Sequence, residues 1–253
     1  MSANFYETDK LLAEYLLFHY GTPEEVLPWA GGPREALGYP VRCVSECVDA
    51  ARLPEKARAL DLGCAVGRSA FELARHCGEV IGVDFSRRFI AAAETLRRDG
   101  TLEYLRADEG ALTTPCCAMV PPEIERGRVR FETGDAMELR ADLGAFDVVL
   151  MANLIDRLRE PQRCLARLGA LVKAGGQLII MSPYTWLEEF TPRANWLGGL
   201  ERDGRRVTTR DGLEAALAQD FQLIATRDLP FLIREHARKF QWSVAEATIW
   251  HRR

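Results

Sequence analysis

No stretch of the sequence holds the roughly 18 consecutive apolar residues that a membrane-spanning helix needs, so no membrane partner is expected. The start, MSANFYETDKLLAEYLLFHYG, lacks the basic opening and unbroken apolar core of a secretory signal. Histidine is scarce, at positions 19, 76, 236 and 251, and the seven cysteines (43, 47, 64, 77, 116, 117, 164) form no CxxC pair. Zinc-ligand spacing is therefore missing and no metal is expected; reduced thiols in a cytoplasm are the simplest account. Positive charge is not in excess either. The 33 Lys and Arg face 37 Asp and Glu, for a formal net charge of −4, so no global field gathers polyanions and no nucleic-acid partner is expected. RDGRRVTTR (202–210) is a basic run best read as a solvated face. There are no internal repeats and no low-complexity tract.

What is present is alternation. Short runs rich in Val, Ile, Leu or Phe at 57–63, 79–84, 128–133, 146–152 and 176–182 read as strands. Helical patterns fall between several of them, at 66–77, 86–98 and 160–172, the last with Pro161 in its first turn and Gly175-Gly176 as its stop. Such an order predicts an α/β fold with a mostly parallel sheet covered on both faces. Residues 211–220 then read as a helix, and 221–234 and 243–250 as closing strands. Two regions stand outside the pattern. Residues 1–56 form an N-terminal helical cap ahead of a domain at 57–253, and residues 183–208 form an insert after the fifth strand. Both are expected to fold over the carboxyl ends of the strands, where open α/β sheets bind ligands. TTPCCAMVPPEIERG (113–127) reads as a long loop.

ALDLGCAVGRSAFELARHC (59–77) turns from an apolar strand into a helix through two glycines. Asp61, Gly63, Ala65 and Gly67 follow D-x-G-x-A-x-G, which differs from the dinucleotide fingerprint, whose last glycine comes three after its second. Small residues let a ligand approach the backbone, and a helix starting near Val66 is expected to offer unpaired N–H groups. Cys64 lies inside this turn, where small size is all that is required. Asp84 closes the second strand, where a carboxylate can accept from both hydroxyls of a ribose. Asp135 ends the third strand and Asn153 follows the fourth.

This constellation resembles the class I S-adenosylmethionine methyltransferases, whose fold is a Rossmann-like seven-stranded sheet. The resemblance implies that Asp61, Gly63, Cys64, Ala65 and Gly67 cradle the methionine part of S-adenosylmethionine. By the same token Asp84 holds the ribose, Phe85 flanks the adenine, Asp135 and Ala136 meet its edge, and Asn153 lies near the sulfonium. Further stretches, NFYETDKLLAEYLLFHYGTPEEVLPW, PVRCVSE, ANLIDRL, SPYTWLEEFTP and RKFQWSVAEATIW, are similar to the methyltransferase domain of ovothiol synthases and its stand-alone relatives. That likeness implies N-methylation of the imidazole of 5-thiohistidine (4-mercaptohistidine), giving ovothiol A and S-adenosylhomocysteine, a small-molecule reaction without a metal.

Candidates for the acceptor side come from residue chemistry. Tyr15 and His19, four apart on one helical face, join Tyr6 and Tyr20 in the N-terminal segment. Arg42 and Arg234 suit the amino acid's carboxylate, and Arg42 equally that of the cofactor. Asn153 and Asp156 are placed to hydrogen-bond the imidazole, with Tyr184 as a third catalytic candidate. Tyr184, Trp186, Glu188 and Glu189 open the insert, offering ring faces to stack and carboxylates for an ammonium. Lys239 and Trp242 belong to the resembling tail without an assigned role. Alternatives that keep the same core are another acceptor, such as a thiol, histidine or a carboxylic acid, and a module that binds the cofactor without turnover.

Overall fold

The computed structural model describes residues 6–253. The cap, whose first five residues lie outside that range, contains helices α1 (Asp9–Tyr20), α2 (Pro23–Val26) and α3 (Tyr39–Ser45). Strand β1 (Arg58–Leu62), helix α4 (Arg68–Leu73), strand β2 (Glu79–Asp84) and helix α5 (Arg87–Asp99) follow. Then come strands β3 (Thr101–Glu109), β4 (Leu112–Met119), β5 (Val129–Thr133) and β6 (Phe146–Ala152). Helix α6 (Pro161–Leu171) leads into β7 (Val172–Ser182). The insert carries β8 (Leu200–Arg202) and β9 (Arg205–Val207), and the chain closes with α7 (Thr209–Leu217), β10 (Phe221–His236) and β11 (Lys239–Arg252).

Seven strands form one sheet in the order β10-β11-β7-β6-β1-β2-β5. The pairs β2–β5, β1–β2, β1–β6 and β6–β7 are parallel, while β11 runs antiparallel to both β7 and β10. β11 alone therefore opposes the common direction, so the sheet is mostly parallel, as the alternation predicts. Successive side chains of each strand go to opposite faces. Val148 and Leu150 join one apolar core with Ile179 and Met181, and Val149 and Met151 join the other with Leu178 and Ile180. Helices α4 and α5 cover the first face and α6 and α7 the second, which is why central strands read as continuous apolar runs.

Residues 112–119 are a correction to the expected loop, since β3 and β4 pair as an antiparallel hairpin beside the main sheet. Its inward positions, Leu102, Tyr104, Cys116 and Ala118, alternate with exposed ones, Leu105 and Met119 among them. Pro115 disguised the strand; it sits in a two-stranded ribbon, where a missing N–H is tolerated at the edge. Helix α6 also ends sooner than expected. It stops at Leu171, and Val172 is already strand, so Gly175-Gly176 bend the start of β7 instead of ending a helix. No helix among the described residues is long and apolar enough to cross a membrane.

Chain order leaves β1 for β2 on one side and later for β6 on the other. Between these neighbours the strand order reverses, and loops leaving the carboxyl ends diverge to open a crevice.

Candidate active site

A cleft of about 570 Å³ opens at that reversal. Its floor is the turn after β1. Gly63 and Gly67 take φ of 81° and 85°, and Ala65 between them takes 47°. A left-handed alanine costs on the order of 1 kcal/mol. Asp84 compensates by accepting from Ala65 N–H at 2.9 Å and from Ser86 N–H at 2.8 Å. The N–H groups of Gly63 and Cys64 both reach Val83 O, at 2.8 and 3.1 Å, and tie the turn to β2. At Gly67 an added Cβ would meet the Phe131 ring at 2.5 Å, so this glycine keeps the helix close to the sheet and lies behind the lining.

Two carboxylates face this floor. Asp61 is 1% exposed, and its Oδ2 has no hydrogen-bond partner. Burial first, and the Asp84 charge second, push its pKa up to about 7. Burial pushes Asp84 up to about 6, against the N–H groups that favour its charge. Both conditions are relieved by a ligand that brings a cation to Asp61 and hydroxyl donors to Asp84. Asp135 accepts from Met137 N–H at 2.8 Å, which fixes one carboxylate oxygen against the backbone. Phe85, 61% exposed, stands on the same rim and offers a ring face there.

The opposite wall is aromatic and comes from the cap. Tyr15 packs on Phe89 with ring centroids 4.7 Å apart and stacks on His19 at 5.9 Å. Burial and the Arg68 charge push the His19 pKa down to about 3, so the imidazole is neutral, and its Nδ1 has no partner. Asn153, at φ 53°, joins the two walls. Its N–H donates to Met181 O at 2.8 Å, and its side-chain Oδ1 accepts from the Tyr39 hydroxyl at 2.9 Å. Charges of both signs stand at the mouth: Arg157 and Arg159 on one loop, Glu188 and Glu189 on the insert. Arg157 is held by Asp156 Oδ2 and Thr185 O, each at 3.0 Å, and lies 4.6 Å over the Phe190 ring.

Residues 60–180 match the family model described as a methyltransferase domain. Just under half of the chain is thus similar to a methyltransferase domain. The ajmaline N-methyltransferase of Rauvolfia serpentina is 25% identical to it over 191 residues, 71% of this chain and 56% of that protein. The magnesium-protoporphyrin O-methyltransferase of Rhodobacter capsulatus is 29% identical over 155 residues, 57% of this chain and 58% of that protein. The chain thus spans little more than half the length of these two relatives. A SAM-dependent methyltransferase from Methanosarcina mazei shares the fold, with a TM-score of 0.51 at 18% identity, covering 79% of this chain and 94% of that one.

Within the matched residues, Asp61, Gly63, Cys64, Ala65, Asp84, Phe85, Asp135, Ala136 and Asn153 all border the cleft. So do Tyr6, Tyr15, His19, Glu188 and Glu189. Donor chemistry fits the cofactor: an orphan carboxylate oxygen for an ammonium, a strand-end carboxylate for a diol, and an exposed ring for a base. The expected helix N-terminus is a correction, since α4 begins at Arg68, two residues later than Val66, and is only six residues long.

Other candidates are placed elsewhere. Arg42 donates to Glu46 at 2.7 Å, Glu35 O at 2.6 Å and Pro230 O at 2.9 Å, so it pins α3 to the closing hairpin. Arg234 is 4% exposed and spans Glu25 O and Asp108, at 2.6 and 3.0 Å. Tyr20 donates to Val66 O at 2.8 Å from behind the turn. Tyr184 donates to Glu246 at 2.6 Å, and Trp186 donates to Thr209 at 2.8 Å while stacking on Trp196. Asp156 is 1% exposed and stands outside the cleft lining; its Oδ2 accepts from Arg157 and from the Thr185 N–H, each at 3.0 Å, while its Oδ1 is buried without a partner, so it orients an arginine from behind the wall. Lys239 pairs with Glu235 outside the cleft, and Trp242 is exposed. Sequence reasoning missed Tyr39, Arg157, Arg159, Phe18, Phe89 and Phe190. Of these only Arg157 carried a signal, as the cation beside Asp156.

Proposed function

We propose that the chain is an N-methyltransferase acting on 5-thiohistidine, methylating the ring nitrogen next to the side-chain attachment to give ovothiol A and S-adenosylhomocysteine. The observation that supports this most is the meeting, at Asn153, of a cofactor-type cradle with an aromatic chamber whose mouth carries both charge signs. A flat ring suits the chamber wall of Tyr15 and His19, and a free amino acid's carboxylate and ammonium suit Arg157 with Arg159 and Glu188 with Glu189. A free small molecule, with neither nucleic acid nor membrane as partner and in a cytoplasmic setting, is in keeping with an enclosed acceptor site. The likeness of the flanking segments to the ovothiol-type methyltransferases, given above, points the same way.

S-Adenosylmethionine supplies a methyl group already activated on a positively charged sulfur. The chain's work is then orientation: Asp61 would hold the donor's ammonium and Asp84 its ribose, on the two sides of the sulfonium, and the aromatic wall would fix the acceptor's ring plane. Alignment of this kind is worth effective molarities of about 10⁵ M or more. No residue has to act as a strong base. His19, held neutral, can accept a hydrogen bond from the acceptor without becoming charged.

Mass spectrometry of the chain incubated with S-adenosylmethionine and 5-thiohistidine, beside histidine, tests the proposal, with NMR fixing the methylated atom. A ring N-methyl on thiohistidine alone is the expected result. Cofactor binding with no product would leave the fold and discard the acceptor.

A further inference from the structure

The hydrogen bond between Tyr39 and Asn153 orients an amide at the lining of the cleft. Tyr39 begins α3, is 2% exposed, and is clamped between Phe18 (ring centroids 5.9 Å) and Phe231 (4.9 Å). Its hydroxyl is thus fixed in space before any ligand arrives. Burial holds its pKa far above the usual phenol value, so it keeps its proton and donates to Asn153 Oδ1. Asn153 is restrained on its other side by the bond from its N–H to Met181 O, and asparagine tolerates the left-handed backbone this needs. With the amide oxygen turned to Tyr39, the end left toward the cleft is the NH₂ group, which only donates.

We infer that Tyr39 is a positioning residue that locks Asn153 as a hydrogen-bond donor to the acceptor's sulfur, and so directs methylation to nitrogen. The inference rests on the substrate reading above. In 5-thiohistidine a thiolate competes with the ring nitrogen for the methyl group, and it is the better nucleophile. A donor aimed at the sulfur lowers its reactivity and turns it from the line of transfer, leaving the nitrogen lone pair to attack. The step balances without a base. The N–C bond forms as the methyl's C–S bond breaks, with its electron pair staying on the departing sulfur. An acceptor with one protonated ring nitrogen and a thiolate, net −1 in its ring, becomes an N-methylimidazolium thiolate that is neutral there.

The test compares the wild-type chain with Tyr39→Phe and Asn153→Asp, each given S-adenosylmethionine and 5-thiohistidine. N-methyl and S-methyl products are separated and identified by NMR, and cofactor affinity is measured by calorimetry as a check on folding. Wild type is expected to give the N-methyl product. In Tyr39→Phe the packing rings remain, cofactor affinity stays within about twofold, and the S-methyl share rises about tenfold, the scale of one hydrogen bond. Asn153→Asp faces the thiolate with a carboxylate, and is expected to show a larger loss of kcat/KM with the same shift toward sulfur. An unchanged product ratio in a Tyr39→Phe chain that binds the cofactor overturns the assignment while leaving the substrate reading intact. Should Tyr39→Phe fail to fold, an unchanged ratio in Asn153→Asp overturns it equally. A wild-type chain that binds the cofactor and leaves 5-thiohistidine untouched overturns both.

Discussion

The cofactor side of the cleft takes Asp61, Asp84, Asp135 and Asn153 from the ends of consecutive sheet strands or the turns just after them, whereas the acceptor side takes Tyr15 and His19 from α1, Glu188 from the insert and Ile233 from β10. On the first side each side chain is placed by a ladder of backbone hydrogen bonds. On the second it is placed by packing between segments far apart in the chain. The first should accordingly tolerate changes in the second, while substitutions in the acceptor wall should alter selectivity without erasing cofactor binding.

The sharpest way to break that contrast is Asp84→Ala. It removes the acceptor of the Ala65 and Ser86 N–H groups together with the carboxylate facing the diol. A loss of about 3 kcal/mol, on the order of a hundredfold in cofactor affinity by calorimetry, is expected. A change below tenfold would mean the turn is held mainly by Val83.

Asp61 predicts a pH effect of known sign. Its folded pKa, near 7, lies above the ordinary carboxylate value, so its proton stabilises the ligand-free fold at low pH and this contribution is lost as pH rises through about 7. A bound ammonium selects the ionised form, so cofactor binding should weaken about tenfold between pH 8 and pH 6. Asp61→Asn should flatten that titration and raise the apo melting temperature at pH 8.

Glu188→Gln sharpens the comparison from the other side. An exposed charge at a cleft mouth is worth about 1 kcal/mol or less. The KM for the acceptor should therefore rise about fivefold or less, with cofactor affinity unchanged. Arg42→Met should do least to binding. Cofactor affinity and acceptor KM should both stay within about twofold, while thermal unfolding reports a loss of about 1–3 kcal/mol from the two carbonyls it now satisfies. A large change in cofactor affinity there would restore Arg42 to the site.

These expectations also mark what could be read from the sequence. Strand ends were legible because apolar runs and the small residues of the turn are local patterns, and a residue closing a parallel strand has few places to go. Arg42, Arg234, Tyr184 and Trp186 were misplaced for a shared reason. A guanidinium or a ring with a polar tip suits a ligand and a buried carbonyl equally well, and the partner that decides it lies up to 209 residues away, as Glu25 does from Arg234. Tyr39 was passed over because its role depends on Asn153, 114 residues later. Pro115 masked a strand whose alternation was visible on either side of it.

Leu232 of β10 packs in one cluster with Leu17, Val26, Leu27 and Ala36 of the cap, so the first and last parts of the chain share a core. A ribosome delivers these parts in sequence. The cap emerges first, and Tyr15 can meet Phe89 of α5 as soon as that helix forms, but the Leu17, Val26, Leu27 and Ala36 cluster lacks Leu232 until the terminal hairpin is released, by which time the strands from β1 to β7 are complete. Contacts of such long separation close late. The nascent chain therefore passes through a stage in which the donor half of the cleft is assembled while the acceptor half still lacks Ile233 and the Leu232 that anchors the cap, and loss of the last thirty or so residues would leave it so.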